Sequence, residues 1–428
     1  MRFQLVEFIL GGMKLLIRVS GLLVFAHVAF FCASSERVQK PEPPVNWKLR
    51  AEELAREFII VDTHVDLPYR LTEKMEDVTV RTMGGDFDYV RAVVGGLDAP
   101  FMSIYVPASY EENGGAKEFA DYLINMVDSI VEKSQRKFAV AFSVADVREY
   151  ATDGIIAFPM GMENGAPIEG DLKNLKYFYD RGIRYITLAH SKSNHICDSS
   201  YDPNRKWNGV SPFGEQVIAE MNRLGIMIDV SHITDSAFYD VMRISKAPVI
   251  ASHSSCRYFT PGWERNMSDE MIQLMARKGG IIHINFGSAF LREDIQKQSE
   301  REWLATDSIR ALYKDKKPKA EVDSLVSAYR AAHPTPYADI ADVIAHINHV
   351  VKLVGVDHVG LGSDFDGVGD SLPTGLKDVS YFPNLIYELM KAGYSENDIR
   401  KICGENTLRV WAHVEQVAKQ LQAEQSSR

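Results

Sequence analysis

The stretch Ile59-Ile60-Val61-Asp62-Thr63-His64-Val65-Asp66 follows Phe58, beginning as an unbroken apolar run and ending in His-x-Asp. Residues 58–61 read as a buried strand. In extended chain, residues two apart face the same side, so His64 and Asp66 project together from the strand's end. One nitrogen donor and one oxygen donor then aim at a single point, which is the beginning of a metal site. His-x-Asp alone also fits a plain strand-end turn. The metal reading gains weight because the same order recurs downstream: an apolar strand, then a histidine or an acid at its C-terminal end.

Apolar strands are expected at 99–106, 155–160, 183–188, 226–230, 248–251, 280–285 and 358–361, giving eight with the first. Helical spacing of apolar residues separates most of them, as at Phe119, Leu123, Met126, Val127 and Ile130. Alternation of strand and helix implies a parallel sheet. Eight such units predict an α/β fold of the (β/α)8 TIM-barrel type, normally about 250 residues long and here stretched by insertions. A charged helical insertion is expected at about 290–332, and two or three helices close the chain near Val417, leaving 418–428 as a polar tail. An open doubly wound sheet is the alternative. The chain contains no GxGxxG after a strand and no Walker-type loop.

With 428 residues, 46% of them hydrophobic, the chain can bury a large core, and the barrel domain is placed at 51–417. The formal charge is −10; residues 1–34 contribute +2 through Arg2, Lys14, Arg18 and Glu7, leaving −12 on the rest. A mildly acidic surface argues against nucleic acid as a partner. The four cysteines, Cys32, Cys197, Cys256 and Cys403, show no CxxC pairing, so neither a disulfide framework nor a structural zinc knot is signalled. Residues 1–34 read as an export signal peptide: Lys14 and Arg18 precede an apolar run at 21–31, and Ala33 and Ser34 follow. That run is short for a bilayer span. Cys32 opens a second reading, a lipid tether to a membrane. Residues 35–50, stiffened by Pro41, Pro43 and Pro44, read as a linker.

In a barrel the C-terminal strand ends share one rim, where active sites are built. The expected rim residues are His64 and Asp66, Glu163, His190, His232, His253, and Asp364 or Asp366. Four of the twelve histidines therefore stand at strand ends. Imidazole and carboxylate together suit zinc or a similar transition metal. Five or six donors exceed one tetrahedral ion, whereas two ions sharing a carboxylate use them economically. Paired ions about 3.5–4 Å apart clamp a water and lower its pKa toward about 7. A carboxylate is still needed to move the proton to the leaving group. Ser231, Ser252, Ser254 and Ser255 flank the histidines, but none lies in a GxSxG elbow, so a serine triad is disfavoured.

Six stretches, taken in order, resemble the membrane (renal) dipeptidase family, the M19 zinc peptidases. They are Val61-Asp62-Thr63-His64-Val65-Asp66, Gly161-Met162-Glu163-Asn164-Gly165, Thr187-Leu188-Ala189-His190, Ile228-Asp229-Val230-Ser231-His232, Pro248 to Ser255, and Gly362-Ser363-Asp364-Phe365-Asp366-Gly367. The resemblance covers about residues 51–414. It implies a barrel of the metal-dependent hydrolase type with two zinc ions, one on His64 and Asp66, the other on His232 and His253, bridged by Glu163. It makes Asp364 the proton shuttle, has His190 hydrogen-bond the oxyanion, and gives Arg265 the substrate carboxylate. The segment 258–264 is one residue longer than the family pattern, so Arg257 stands as the alternative. The resemblance also implies dipeptide substrates, tolerance of a C-terminal D-residue and a homodimer. Other classes weighed are a different metal-dependent hydrolase on the same barrel, acting on lactones, phosphoesters or cyclic amides, and a non-catalytic binding protein.

Overall fold

The computed structural model describes residues 46–314 and 316–427. The expected export leader, Cys32 and linker residues up to 45 lie outside them. Ten strands follow in chain order: β1 Ile60–Val65, β2 Leu97–Tyr105, β3 Phe138–Val140, β4 Ile156–Phe158, β5 Met160–Glu163, β6 Ile183–Thr187, β7 Met227–Asp229, β8 Ile250–Ser254, β9 Ile281–Ile284 and β10 Val359–Leu361. Eight of them close into a ring, β1, β2, β5, β6, β7, β8, β9, β10 and back to β1, every pairing parallel. Helices intervene between most successive barrel strands. This is the expected (β/α)8 barrel, and the open doubly wound sheet is excluded by its closure.

The strand expected at 155–160 is two strands. Pro159 separates β4, which pairs with β3 in a small parallel sheet outside the barrel, from β5. Proline has no N–H for a ladder, but its carbonyl still accepts from Met102 N at 2.8 Å. The barrel strand is therefore shifted, and Glu163 is its last residue, in register with Tyr105 and Thr187. The first strand is also later than 58–61, because Phe58 caps the helix Trp47–Glu57. That helix, started by Asn46 accepting from Leu49 N at 3.3 Å, occupies the end of the stretch read as linker. The last helix, Asn406–Ser426, runs through the stretch read as polar tail.

All residues of β1, β5, β6, β7, β8, β9 and β10 are buried. The upstream strand positions Val61, Phe101, Tyr185, Met227, Ile250 and Ile281 form an apolar cluster with Leu408, Trp411 and Val414 of the last helix. Phe101 and Trp411 have ring centroids 5.4 Å apart. The last helix thus covers the barrel end opposite the histidines. The insertion forms two helices, Glu293–Tyr313 and Lys319–Ala332, tied by Arg330 Nε donating to Glu302 Oε1 at 2.8 Å. Cys197, Cys256 and Cys403 are buried free thiols. Among the described residues, no helix is long and apolar enough to cross a membrane.

Candidate active site

A parallel barrel brings every C-terminal strand end to one rim. His64 is the penultimate residue of β1, His253 the penultimate residue of β8, and Glu163 the last of β5. His190, His232 and Asp364 each stand three residues beyond their strands, β6, β7 and β10. His232 and Asp364 hold left-handed backbone, at φ 71° and 65°. Non-glycine residues seldom adopt it, and such strain concentrates at functional sites.

Glu163 lies at the centre. Its Oε2 is 3.5 Å from His64 Nε2, while Oε1 is 3.1 Å from His232 Nε2 and 3.4 Å from both His253 Nε2 and His190 Nε2. Asp66 Oδ2 is 3.4 Å from His64 Nε2. The Nε2 atoms of His232 and His253 are 2.8 Å apart. Donor atoms fall within 4.8 Å of one another in three sets: His64, Glu163 and His253; Glu163, His190 and His232; His64, Asp66 and Asp364. His253 therefore lies within reach of His64 as well as His232.

The open choices between neighbours are separated by geometry. Asp364 joins the cluster, its Oδ2 accepting from Asn285 Nδ2 at 2.7 Å. Asp366 turns away: its Oδ1 accepts from Asp86 N at 2.5 Å, and its Oδ2 is 3.3 Å from Arg70 Nε. Arg265 is buried, donating to Ser254 Oγ at 2.8 Å and His253 O at 2.9 Å, with Nη2 3.0 Å from His232 Nε2. Phe290, at the root of the insertion, packs its ring 5.0 Å from that guanidinium. Arg257 is spent elsewhere, in a two-pronged pair with Asp235 at 2.7 and 2.5 Å.

The flanking serines have structural partners. Ser252 Oγ donates to Asp229 Oδ2 at 2.6 Å and Ser255 Oγ to Asn285 O at 3.3 Å, while Ser231 Oγ accepts from His253 N at 3.2 Å. Sequence reasoning gave no part to Tyr185 or Asp229. Tyr185 OH is 2.8 Å from His64 Nδ1, and Ser252 Oγ is 2.7 Å from His253 Nδ1. The available signal was an acid inside an apolar strand, as in Ile228-Asp229-Val230.

Burial is the largest single influence on these groups, but at His64 it is outweighed by Tyr185, Glu163 and Asp66, which raise that imidazole well above its ordinary range, and at Asp66 by His64, which lowers the carboxyl. Burial raises the Glu163 carboxyl to about 7 and that of Asp364 to about 6. Burial, then Arg265, lowers His190 to about 3 and pushes His232 well below the ordinary imidazole range. His253 is lowered by burial, then by His64 and Arg265. Neutral imidazole is the form that ligates a metal. A cation reverses the carboxyl shifts, since it favours the ionised form at close range.

The residues fit a metal on two further counts. His64 Nε2 and Asp66 Oδ1 are buried without a hydrogen-bond partner, an arrangement that costs free energy unless something fills it. The Nδ1 atoms of His64 and His253 are held from behind by Tyr185 and Ser252, leaving each Nε2 aimed at the cluster, as in metal sites generally.

Residues 48–425 match the family model described as membrane dipeptidase, peptidase family M19. The chain is 32% identical over 344 residues to Dipeptidase aclJ of Aspergillus oryzae, covering 79% of this chain and 72% of that protein. The crystal structure of the probable dipeptidase PvdM from Pseudomonas aeruginosa superposes with a TM-score of 0.75 at 28% identity, covering 88% of this chain and all of that one, 100%. A metallopeptidase from Rhodobacter sphaeroides, liganded with a phosphinate mimic of L-Ala-D-Ala, gives a TM-score of 0.69 at 26% identity, covering 83% of this chain and 99% of its own. A family match running across the whole barrel admits one conclusion: this chain belongs to peptidase family M19, the membrane dipeptidases, and is a dipeptidase of the metallopeptidase type.

Proposed function

We propose that this chain hydrolyses dipeptides with two zinc ions at the barrel rim, one on His64 and Asp66, the other on His232 and His253, with Glu163 between them. The observation that carries this reading is the placement of Glu163, one oxygen toward His64 at 3.5 Å and the other toward His232 and His253 at 3.1 and 3.4 Å. When bound, such a pair supplies Lewis acidity and a water acidified toward neutrality.

The protein's own groups do the rest. Arg265 is the cation facing the cluster and takes the free carboxylate of the dipeptide, which sets its length and direction. His190, half-buried and 3.4 Å from Glu163, donates to the oxygen that gains charge as the carbonyl is attacked. Asp364, steadied by Asn285, carries the proton from the attacking water to the departing amine. Other metal-dependent hydrolases on this barrel often bridge their metals with a modified lysine, whereas this chain offers Glu163, which favours peptide hydrolysis over lactone or phosphoester chemistry. The Rhodobacter sphaeroides structure holds a mimic with a D-residue at the C-terminal position, and we extend that tolerance to this chain. From the signal-like residues 1–34 we infer that the chain acts after export, its leader cleaved or retained on a lipid at Cys32, and from the family resemblance that it is a homodimer.

The test is zinc content of the purified protein together with amino-acid release from a panel of L,L- and L,D-dipeptides. Two zinc equivalents and release from both classes are expected. Fewer than two equivalents sinks the dizinc part, and cleavage confined to L,L-dipeptides sinks the D-residue part.

A further inference from the structure

We propose that two sets of buried groups behind the rim are positioning residues, each serving one cation: Asp229 with Ser252 for the site that uses His253, and Tyr185 for the site that uses His64. This rests on the dizinc reading above.

The argument starts from hydrogen-bond direction. Asp229 Oδ1 faces the backbone N–H groups of Ser231 at 3.0 Å and Ser252 at 2.8 Å; its Oδ2 faces the hydroxyls of Thr187 at 2.5 Å and Ser252 at 2.6 Å. Every partner can donate, and a carboxylate only accepts. The Ser252 hydrogen therefore points to Asp229, and its oxygen is left to accept from His253 Nδ1–H at 2.7 Å. That fixes the tautomer in which Nε2 carries the lone pair, turned toward Glu163 and His232. The order is acid, serine, histidine, with the serine in the middle and fully buried. It aims an imidazole and makes no nucleophile. An irregular register in β8 between Ala251 and Ser254 accompanies the meeting of these two successive side chains.

His64 is held differently. Tyr185 rises through the barrel interior, fully buried, and its hydroxyl reaches His64 Nδ1 at 2.8 Å. Gly161, on the neighbouring strand β5, makes room for it: a Cβ there would lie 1.9 Å from the Tyr185 ring. A smaller apolar residue would fill a barrel layer as well, so the hydroxyl at that height points to work on His64. The two supports share no atom, so each cation can be loosened separately.

The experiment titrates metal-free protein with zinc against a chromogenic chelator, resolving two binding steps, and follows thermal unfolding of the metal-free form in parallel. Ser252→Ala and Tyr185→Phe each delete one hydroxyl. Each is expected to weaken one step by about 10–100-fold and spare the other. The step lost in Ser252→Ala should be the one lost in His253→Asn, and Ser252→Thr, which keeps the hydroxyl, should retain it. A merely structural role would lower the unfolding temperature and leave both steps at wild-type affinity, which overturns the proposal, as does equal weakening of both steps by either variant. Should Ser252→Ala not fold, Ser252→Cys tests the same support, and should Tyr185→Phe not fold, Tyr185→Leu does so for His64. Fewer than two steps in the wild type would instead refute the dizinc reading itself.

Discussion

Gly367→Ala is the sharpest perturbation the site offers. A Cβ on Gly367 would lie 2.2 Å from Asp66 Oδ2 and 2.3 Å from Asp364 Oδ1, the side chains proposed as ligand and proton carrier. Ordinary carbon–oxygen contact needs each oxygen to retreat by about 1 Å. Neither is free to do so at no cost: Asp364 is tethered to Asn285 at 2.7 Å, and Asp66 faces His64 at 3.4 Å. Displacement of a reacting group by about 1 Å costs roughly 100-fold in rate, while overpacking costs about 1–3 kcal/mol of stability. The variant should therefore fold, lose about 100-fold in kcat, and bind zinc more weakly at the His64 and Asp66 site. Steady-state kinetics on a dipeptide, zinc analysis and a thermal melt measure all three. Wild-type kcat with a full complement of zinc would refute the reasoning, because the two carboxylates would then not be confined as the distances require.

Other predictions are more local. Asp364→Asn should lower kcat by about 100- to 10,000-fold with zinc retained, as expected for a lost proton carrier; unchanged turnover would remove Asp364 from that role. Arg265→Lys loses the forked donor geometry, so KM should rise for free dipeptides far more than for C-terminally amidated ones, a difference read by paired kinetics. Asp98, partly buried at the start of β2 with Ile60 N as its hydrogen-bond donor at 2.8 Å, is raised by desolvation to about 7. Its folded pKa lies above the unfolded one, so its contribution to stability is full below about pH 4 and falls as pH rises through 7. Asp98→Asn, which does not titrate, should thus gain on the wild type by about 2 kcal/mol between pH 5 and pH 8 in urea unfolding. An advantage independent of pH would show that Asp98 does not take up that proton on folding.

The barrel and most of its rim were legible because both depend on local order. An apolar run followed by a polar residue marks a strand end, and parallel closure sends all such ends to one mouth, so the histidines and Glu163 could be gathered without coordinates. What escaped depends on partners distant in sequence. Tyr185 within Ile183–Thr187 reads as one more core residue, and it is one, until the hydroxyl meets His64 at 2.8 Å. The division of 155–160 into two strands followed from Pro159, which cannot donate to a ladder but still accepts from Met102. Arg265 and Arg257 were indistinguishable by spacing, because what separates them is a loop folded back on itself, with Met267 N bonded to Ser255 O and Arg257 N to Met267 O. That fold carries Arg265 under His232 and sends Arg257 to Asp235.

Asp364 and Asp366 pose the same problem in its simplest form. Both have left-handed backbone, at φ 65° and 66°, which aspartate adopts more readily than most residues but still uncommonly, so residue type alone does not announce it. In regular extended chain the two side chains would face one side. The left-handed turns break that rule, and Gly367, without a Cβ, lets the chain pass close to both Asp66 and Asp364. Asp364 then faces His64 and Asp66, while the Asp366 carboxylate accepts from Asp86 N at 2.5 Å and Asp366 N donates to the Asp86 carboxylate at 2.8 Å, pinning the neighbouring loop. One acid joins the donor cluster and its near neighbour holds the rim, and the division is made by backbone strain at two residues.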